Sequence, residues 1–230
     1  MARPCLVVPA LDAGRTVGQV VGGLVRGLDV PVFVVDDGSS DDTGNVARAQ
    51  GALVVRHARN LGKGAAILTG LREALRRDHD VALVVDADGQ HPVDSARLVL
   101  AGSDDPRALV LGVRDLVRDG APRANRFGNG VSNFFVSAFA RRRLRDTQCG
   151  LRRYPVAATL DLRSRAAGFA FESEVILRAV AAGMPVVEVP IDVVYPPESE
   201  RVTHFRSARD PARIVGTVVA TVVELAVRRR

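Results

Sequence analysis

The chain has 230 residues, of which 47% are hydrophobic and 25% charged, the balance of a globular domain long enough to bury a sizeable core. Its formal net charge is +6, and Lys63 is its only lysine. The arginine excess admits phosphorylated substrates, membrane surfaces or nucleic acid, but aromatic residues make up 4% and stacking platforms for nucleobases are scarce. Two cysteines give no disulfide framework, and no run of about 18 apolar residues predicts a spanning helix. We therefore expect a cytoplasmic protein that does not bind nucleic acid.

Short apolar runs alternate with helical patterns over the first half of the chain. The sequence predicts strands at 5–8, 32–37, 52–57, 81–88 and 108–114, and helices at 16–26, 62–77 and near 93–101, with another beginning within 39–50. The strands are continuous Val and Leu runs, which suits a sheet covered on both faces. The alternation predicts an α/β fold with a mostly parallel central sheet flanked by helices.

Five charged residues follow these predicted strands: Asp36, Asp37, Asp86, Asp88 and Arg114. Ligands bind parallel sheets at the carboxyl ends of the strands. We therefore expect the five side chains to share one edge of the sheet.

The second half of the chain changes character. A long helical stretch at roughly 126–142 is followed by a helix near 171–182 and a strand at 185–191. Residues 195–211 are polar, basic and proline-bearing, which predicts a loop. Residues 211–230 are predicted as a basic amphipathic helix, which either lies on a membrane surface or packs on its own domain.

The segment VVDADGQHP (84–92) places Asp86 and Asp88 one residue apart after an apolar run, with Gln90 next. A turn after the strand can bring the two carboxylates together. Two hard oxygen donors and an amide suit Mg²⁺ or Mn²⁺, which would bridge the phosphates of a nucleotide. The alternative is that exposed acids merely end a strand, and only the rest of the chain decides between the two.

Two more segments favour a nucleotide. In VVDDGSSDDT (34–43), carboxylates at a strand end can accept hydrogen bonds from a nucleobase or ribose. The glycine-rich RNLGKGAAILTG (59–70) opens a helix, like a phosphate cradle. It is not a P-loop, because Gly64 follows Lys63 where serine or threonine is needed.

Taken in order, VVPALDAGRT, VVDDGSSDDT, RNLGKGAAILTG, VVDADGQHP, GVR, RFGNGVSN, DTQCGLRRY, FAFESEVILRA and VPIDVVY resemble family 2 glycosyltransferases. The nearest branch is the group of dolichyl-phosphate mannosyltransferases and polyprenyl-phosphate sugar transferases. The resemblance covers about residues 5–210. It implies a GT-A (Rossmann-like) fold in one domain, 1–210, with a nucleotide-sugar-binding half (1–114) and an acceptor half (115–210).

The resemblance also implies an inverting, metal-dependent transfer of a hexose from a UDP- or GDP-linked donor to a polyprenyl or dolichyl phosphate. On the donor side, Pro9, Asp36 and Asp37 would line the nucleoside pocket, with Lys63 and Gly64 near it. The metal and diphosphate would be held by Asp86, Ala87, Asp88 and Gln90, with Asp86, Asp88 and Gln90 as the metal ligands. Arg201 and Arg206 are the best matches to a basic loop that closes over the diphosphate.

On the acceptor side, the resemblance assigns Arg114 and Arg126 to the acceptor phosphate, for which the planar guanidinium is suited, with Arg123 a neighbour. Asp146 matches a family motif. Glu174, with Glu172 as the alternative, falls near the place of the catalytic base in relatives with hydroxyl acceptors. A phosphate acceptor is already ionised, so a base is less needed and Glu174 would instead orient arginines.

The chain departs from the family's pattern at PALDA (9–13), where Leu11 replaces a tyrosine and Ala13 an acid or amide. The base of the donor therefore stays open. So do a hydroxyl acceptor, a non-catalytic nucleotide-sugar-binding protein and, more remotely, a haloacid-dehalogenase-type phosphatase with Asp86 as nucleophile. A lipid-linked acceptor would place the protein at the inner face of the cytoplasmic membrane.

Overall fold

A computed structural model describes residues 2–121, 123–166, 168, 170–195 and 209–228. The strands are β1 (Pro4–Ala10), β2 (Val32–Asp36), β3 (Leu53–Arg56), β4 (Val81–Val84), β5 (Leu109–Arg114), β6 (Arg152–Pro155) and β7 (Val186–Ile191). The helices are α1 (Val17–Gly27), α2 (Thr43–Ala49), α3 (Lys63–Arg76), α4 (Val93–Leu100), α5 (Arg123–Ala140), α6 (Val156–Asp161), α7 (Phe171–Ala181) and α8 (Arg209–Arg228).

All these strands form one sheet in the order β3-β2-β1-β4-β6-β5-β7. Parallel pairing joins β1 to β2 and β4, β2 to β3, and β5 to β7. The exception is β6, which runs antiparallel between β4 and β5. The predicted α/β fold with a mostly parallel sheet is confirmed.

Successive residues of the central strands face opposite helical layers, because side chains alternate along a strand. Val7 and Phe33 pack in a core with residues of α3, α5, α7 and α8. Leu6 and Val34 pack in a second core with residues of α1, α2 and α4. Because both faces of β1, β2 and β4 are buried, these central strands are apolar at nearly every position, which explains their Val and Leu runs.

The sequence pattern does not predict β6, because two of its four residues are arginines. Both are buried. The Arg152 guanidinium donates hydrogen bonds to the carbonyl oxygens of Thr147, Cys149 and Glu172 at 2.7–2.8 Å, and that of Arg153 donates to three carbonyl oxygens in the segment 100–105. Buried polar groups are tolerated when hydrogen-bonded, so these arginines anchor β6 to its surroundings.

Two predicted boundaries are wrong. The strand predicted at 81–88 ends at Val84, so the segment 85–88 already belongs to the turn that carries the acids. The loop predicted at 195–211 is wrong for residues 209–211, which form the first turn of α8. The remainder of that loop, 196–208, lies outside the described residues.

The C-terminal helix α8 packs against α5 and α7. Val218 and Thr221 are buried in this contact, and Glu224 accepts a hydrogen bond from Arg178 of α7 at 2.7 Å. The opposite side of α8 exposes Val219 and Val223. In the described part of the chain, no helix has the length and apolar character needed to cross a membrane.

Replacement of Arg152 by methionine tests its anchoring role. The variant removes one donor from each of three carbonyl oxygens, of which that of Thr147 still accepts from Gln148 Nε2, and a buried group left unsatisfied costs about 1–3 kcal/mol before relaxation. We expect the free energy of unfolding, measured by urea denaturation, to fall by about 2–4 kcal/mol. Arg72→Met, at an exposed position of α3, should change it by less than about 0.5 kcal/mol. Equal losses in the two variants would contradict the anchoring role.

Candidate active site

Charged residues from both halves of the chain meet at one edge of the sheet. β2 and β5 end at Asp36 and Arg114, and Asp86 follows two residues after the end of β4. Because β6 is antiparallel, the segment 146–151 that precedes it lies at the same edge. We call this edge, formed by the loops after β1, β2, β4 and β5 and by residues 146–151, the rim.

Asp37 fixes the loop in front of α3. It is buried, and its carboxylate accepts hydrogen bonds from the backbone N–H groups of Leu61 and Gly62 at 2.9 and 2.8 Å. His57 Nδ1 lies 2.7 Å from the same carboxylate. Gly62 is followed by Lys63, the first residue of α3. Asp37 therefore fixes the backbone position from which the lysine side chain extends.

Asp36 is also buried, beside the first loop of the rim. Its Oδ1 accepts a hydrogen bond from Ser39 N at 2.9 Å. Its Oδ2 lies 3.6 Å from Arg56 Nε and has no hydrogen-bond partner among the described residues. Pro9 is buried in β1 and pairs in register with Val35, the residue before Asp36. At the place predicted for the nucleoside, Asp36 is therefore a buried carboxylate whose Oδ2 faces Arg56 without a hydrogen bond among the described residues.

The loop at residues 9–13, which departs from the family's pattern, is held to the segment 39–43. Asp12 Oδ1 accepts hydrogen bonds from the N–H and the hydroxyl group of Ser40 at 2.7 and 3.0 Å. Ala13 N donates to Thr43 Oγ1 at 2.8 Å. Despite the replaced residues, the loop has a defined conformation.

Lys63 joins the rim to α7. Its Nζ lies 2.8 Å from Asp86 Oδ1 and 2.8 Å from Glu172 Oε1, with the lysine side chain 16% exposed. Burial opposes the ammonium charge, but the two carboxylates outweigh it and raise the pKa of Lys63. Burial likewise opposes the charge of Asp86, but Lys63 and then His91 lower the pKa of that carboxyl. The bridge therefore keeps Lys63 and Asp86 charged.

Two glycines allow backbone to pack closely around this bridge. A Cβ at Gly150 would clash with the carboxylate of Asp86, whose Cγ would lie 2.6 Å away. A Cβ at Gly64 would meet Phe171 Cβ at 2.7 Å and the carbonyl oxygen of Ala166. Real Cβ atoms do not approach other atoms this closely, so both positions require glycine for contact rather than for chain flexibility.

Asp88 has a different environment from Asp86. Its Oδ1 accepts a hydrogen bond from Gln90 N at 3.0 Å, and Gln90 in turn accepts one from Val194 N through its carbonyl oxygen at 2.9 Å. Burial and then the neighbouring charge of Asp86 raise the pKa of Asp88 to about 6. Ala87, between the two acids, is buried. A cation bound beside Asp88 would stabilise its ionised form and so oppose the rise in pKa caused by burial and by Asp86.

The predicted metal ligands suit a divalent ion whose remaining coordination positions are filled by substrate phosphates. Within the described ranges, no group of three or more His, Cys, Asp or Glu side chains could hold a metal ion by itself. Asp86 is engaged by Lys63, which leaves Asp88 as the carboxylate best placed to bind one, with Gln90 beside it. Mg²⁺ is commonly held by one or two carboxylates together with substrate phosphates.

On the other side of the rim, Arg114 forms a two-point contact with buried Asp146. Arg114 Nε lies 2.7 Å from Oδ2 and Nη2 lies 3.1 Å from Oδ1. Asp146 also accepts from Asn129 Nδ2 at 3.0 Å and Gln148 N at 3.2 Å. Burial opposes its charge, but Arg114 lowers its pKa. Arg114 also helps to lower the pKa of Asp86, so the predicted donor and acceptor residues belong to one electrostatic site.

A network of buried hydroxyl groups adjoins the Arg114–Asp146 pair. No local sequence pattern predicts it. Ser132 Oγ lies 2.8 Å from Thr147 Oγ1 and 3.0 Å from Ser173 Oγ. Gln148 Nε2 donates to Ser132 Oγ at 3.1 Å and to Ser173 Oγ at 2.7 Å. These contacts join α5, the segment before β6 and α7, which are distant in sequence.

The two glutamates of α7 have different partners. Glu172 contacts Lys63, whereas the Glu174 carboxylate accepts hydrogen bonds from the N–H groups of Arg165 and Ala166 at 2.9 and 2.7 Å and from Arg178 Nε at 2.7 Å. The structure therefore brings Glu172 to the rim, and Glu174 holds the segment before α7.

Four predicted arginines are described only in part or lie outside the described residues. Arg126 is half-buried in α5, one turn before Asn129, which contacts Asp146. The side chain of Arg123 lies outside the described residues, as do Arg201 and Arg206 altogether.

Comparison with known proteins identifies relatives of this chain. The family model described as "Glycosyl transferase family 2" matches residues 5–157. A UDP-N-acetylglucosamine–dolichyl-phosphate N-acetylglucosaminyltransferase of Methanococcus voltae is 27% identical over 92% of this chain and 90% of its own length. An undecaprenyl-phosphate mannosyltransferase of Micrococcus luteus is 30% identical over 84% of each chain.

Among solved structures, the glucosyl-3-phosphoglycerate synthase of Mycobacterium tuberculosis, crystallised with Mn²⁺, UDP and phosphoglyceric acid, superposes with a TM-score of 0.75. The match covers 96% of this chain and 78% of that chain at 17% identity. At this identity the likeness concerns the fold, which is the GT-A fold predicted from the sequence. Because the family model spans well over half of the chain, this protein belongs to glycosyl transferase family 2.

Proposed function

We propose that this protein is an inverting, metal-dependent transferase that moves a hexose from a nucleoside diphosphate sugar to a polyprenyl phosphate. The observation that carries the proposal is the meeting at one rim of two unlike groups, a carboxylate that favours a cation (Asp88) and a guanidinium suited to phosphate (Arg114). The names of the two relatives, which specify dolichyl and undecaprenyl phosphates, support the acceptor.

The donor occupies the side of the rim formed by the loops after β1, β2 and β4. Asp36, which is buried and whose Oδ2 lies 3.6 Å from Arg56 Nε, would shape the nucleoside end of the site, and Pro9 forms the adjacent floor in β1. Asp37 acts through the loop that it holds in front of α3. The diphosphate lies toward Lys63, and Arg206 from the late loop would complete its charge compensation.

A divalent ion, Mg²⁺ or Mn²⁺, would be held by Asp88 with Gln90 and the donor diphosphate, with Asp86 alongside. When bound, such an ion acts as a Lewis acid that stabilises the negative charge of the leaving nucleoside diphosphate. The crystallisation of the fold relative with Mn²⁺ and UDP supports this cofactor.

The acceptor phosphate lies against Arg114, whose planar guanidinium matches phosphate geometry, with Arg126 on the adjoining helix. Asp146 holds Arg114 in place. The phosphate oxygen is already an anion at neutral pH and attacks without a general base. The carboxylate of Glu174 accepts hydrogen bonds from Arg165, Ala166 and Arg178. Glu174 accordingly holds these residues in place and does not act as a base.

In the reaction, a phosphate oxygen forms a bond to the anomeric carbon of the hexose. The bond from that carbon to the donor diphosphate breaks, and its electron pair leaves with the nucleoside diphosphate. Attack from the side opposite the leaving group inverts the configuration. The chain's contribution is to hold the two phosphate-bearing substrates on opposite sides of one carbon.

Access to a lipid-linked acceptor calls for contact with the inner face of the membrane. The outward side of α8 suits such contact, because Val219, Val223 and Val227 are at least half exposed and residues 228–230 are all arginine. Apolar side chains that insert at the headgroup boundary and cations that meet anionic lipid are the features of interfacial helices.

Donor binding is tested by thermal unfolding with UDP, GDP, CDP or dTDP, with and without Mn²⁺. We expect one nucleotide to raise the melting temperature of the wild type only when the metal is present, because a ligand of the native state stabilises it by mass action. Asp88→Asn should abolish this shift, whereas Asp94→Asn, at an exposed position of α4, should keep it. A shift that persists without metal, or in Asp88→Asn, would contradict the metal assignment.

Acceptor choice is tested by transfer of labelled hexose to undecaprenyl phosphate or to phosphoglyceric acid. We expect transfer to the lipid phosphate, and a fall in kcat/KM of about 10–100-fold in Arg114→Lys, which loses the planar fork. Arg72→Lys should retain activity. Transfer to phosphoglyceric acid alone would make the protein a hydroxyl-directed transferase with Glu172 as the nearest base. Donor binding without any transfer would favour a non-catalytic protein.

Membrane contact is tested by co-sedimentation with vesicles of phosphatidylglycerol. The double variant Val219→Asp, Val223→Asp should weaken binding at least about tenfold, since two valines no longer enter the lipid. Leu98→Asp, at an exposed apolar position of α4 on the other face of the sheet, is the control. Equal effects of the two changes would contradict docking through α8.

A further inference from the structure

We infer that Glu172 is a positioning residue for the donor site, which acts by holding the chain's only lysine against Asp86. The inference rests on the proposed function, because it assigns Asp86 and Lys63 to the donor diphosphate. It separates the two acids of the DAD segment: Asp86 is compensated by a cation of the protein, and Asp88 is left for a cation that arrives with the donor.

A lysine occupies the position between Asp86 and Glu172. Every other basic residue among the 32 is arginine, yet the position between Asp86 and Glu172 carries an ammonium group. A compact ammonium can donate to two carboxylates in different directions, whereas a guanidinium is planar and wider. The space is confined, because Gly64 packs against Phe171 at the start of α7. The bridge therefore favours lysine on geometric grounds.

Glu172 is deeply buried. Only 2% of the residue is exposed, and its Oε2 has no hydrogen-bond partner among the described residues. Its Oε1 contacts Lys63. A buried carboxylate is costly unless it is paired, and the ion pair of Glu172 within the described part of the chain is the one with Lys63. Glu172 and Lys63 therefore depend on each other.

The carboxylate of Asp86 is confined on two sides. Lys63 lies on one side of its carboxylate at 2.8 Å, and the backbone at Gly150 leaves no room for a Cβ on another. Asp86 is thus restrained by one ion pair and by one steric contact. If Glu172 is neutralised, Lys63 loses one of the two carboxylates that contact it within the described residues, and Asp86 loses a fixed partner, while the Gly150 contact stays.

The ligand-free protein provides a direct readout of this coupling. Selective ¹⁵N-lysine labelling gives a single Nζ resonance, because the chain has one lysine. In the wild type we expect slow proton exchange at Nζ, since the largely buried ammonium is bound by the buried carboxylate of Glu172 and the partly buried one of Asp86. Glu172→Gln should lose this protection. Glu73→Gln is the matched control, because Glu73 is a mostly buried glutamate on α3 that pairs with Arg76 and Arg77 instead.

Donor affinity is then measured by titration with UDP and with GDP in the presence of Mn²⁺. Loss of an outer partner of a ligand-binding side chain typically costs about 10–100-fold in affinity or activity, and we expect this loss in Glu172→Gln but not in Glu73→Gln. In a Lys63→Met background, Glu172→Gln should cause no further loss, because its effect passes through the lysine. If Glu172→Gln does not fold, Glu172→Asp, which withdraws the carboxylate by one methylene, takes its place.

The inference is overturned if Nζ protection survives in Glu172→Gln, or if that change weakens donor binding equally with and without Lys63. The first readout needs no donor. Failure of the wild type to bind any nucleotide would therefore overturn the proposed function, while the lysine signal would still decide whether Glu172 positions Lys63.

Discussion

The ionic bridge of Asp86, Lys63 and Glu172 is the interaction on which the rest of the site depends. It joins three elements that are far apart in sequence: the turn after β4, the first residue of α3 and the first turn of α7. Because its charges are largely removed from water, none of them is stable without the others. The bridge therefore ties the turn after β4 to the start of α3 and the first turn of α7, beside the core that packs these helices on the sheet.

The proposed acceptor side depends on a second constraint, the antiparallel strand β6. Its reversed direction brings the segment from Asp146 to Gly150 to the same edge as the carboxyl ends of β4 and β5. One consequence is the Arg114–Asp146 pair, and another is the close contact of Gly150 with Asp86. A wholly parallel sheet would place the residues before that strand at the opposite edge. The buried guanidinium of Arg152 keeps this strand in place.

Much of this arrangement can be predicted from the sequence. The Val and Leu runs indicate a sheet covered on both faces, and the carboxylates that follow them indicate the rim. β6 cannot be predicted from local pattern, because the burial of Arg152 and Arg153 depends on carbonyl oxygens supplied by other segments. Nor can sequence choose between Glu172 and Glu174. Two positions on a helix differ by about 200° in direction, and only packing shows which one faces Lys63.

In the reaction proposed for this protein, a phosphate oxygen held at Arg114 displaces the nucleoside diphosphate held beside Asp88. The most direct measurement is the anomeric configuration of the product, determined by NMR after reaction of an α-linked nucleoside diphosphate hexose with undecaprenyl phosphate and Mn²⁺. We expect a β-linked hexosyl phosphate, because the acceptor approaches from the side opposite the leaving group. An α-linked product, or free hexose as the sole product, would contradict it.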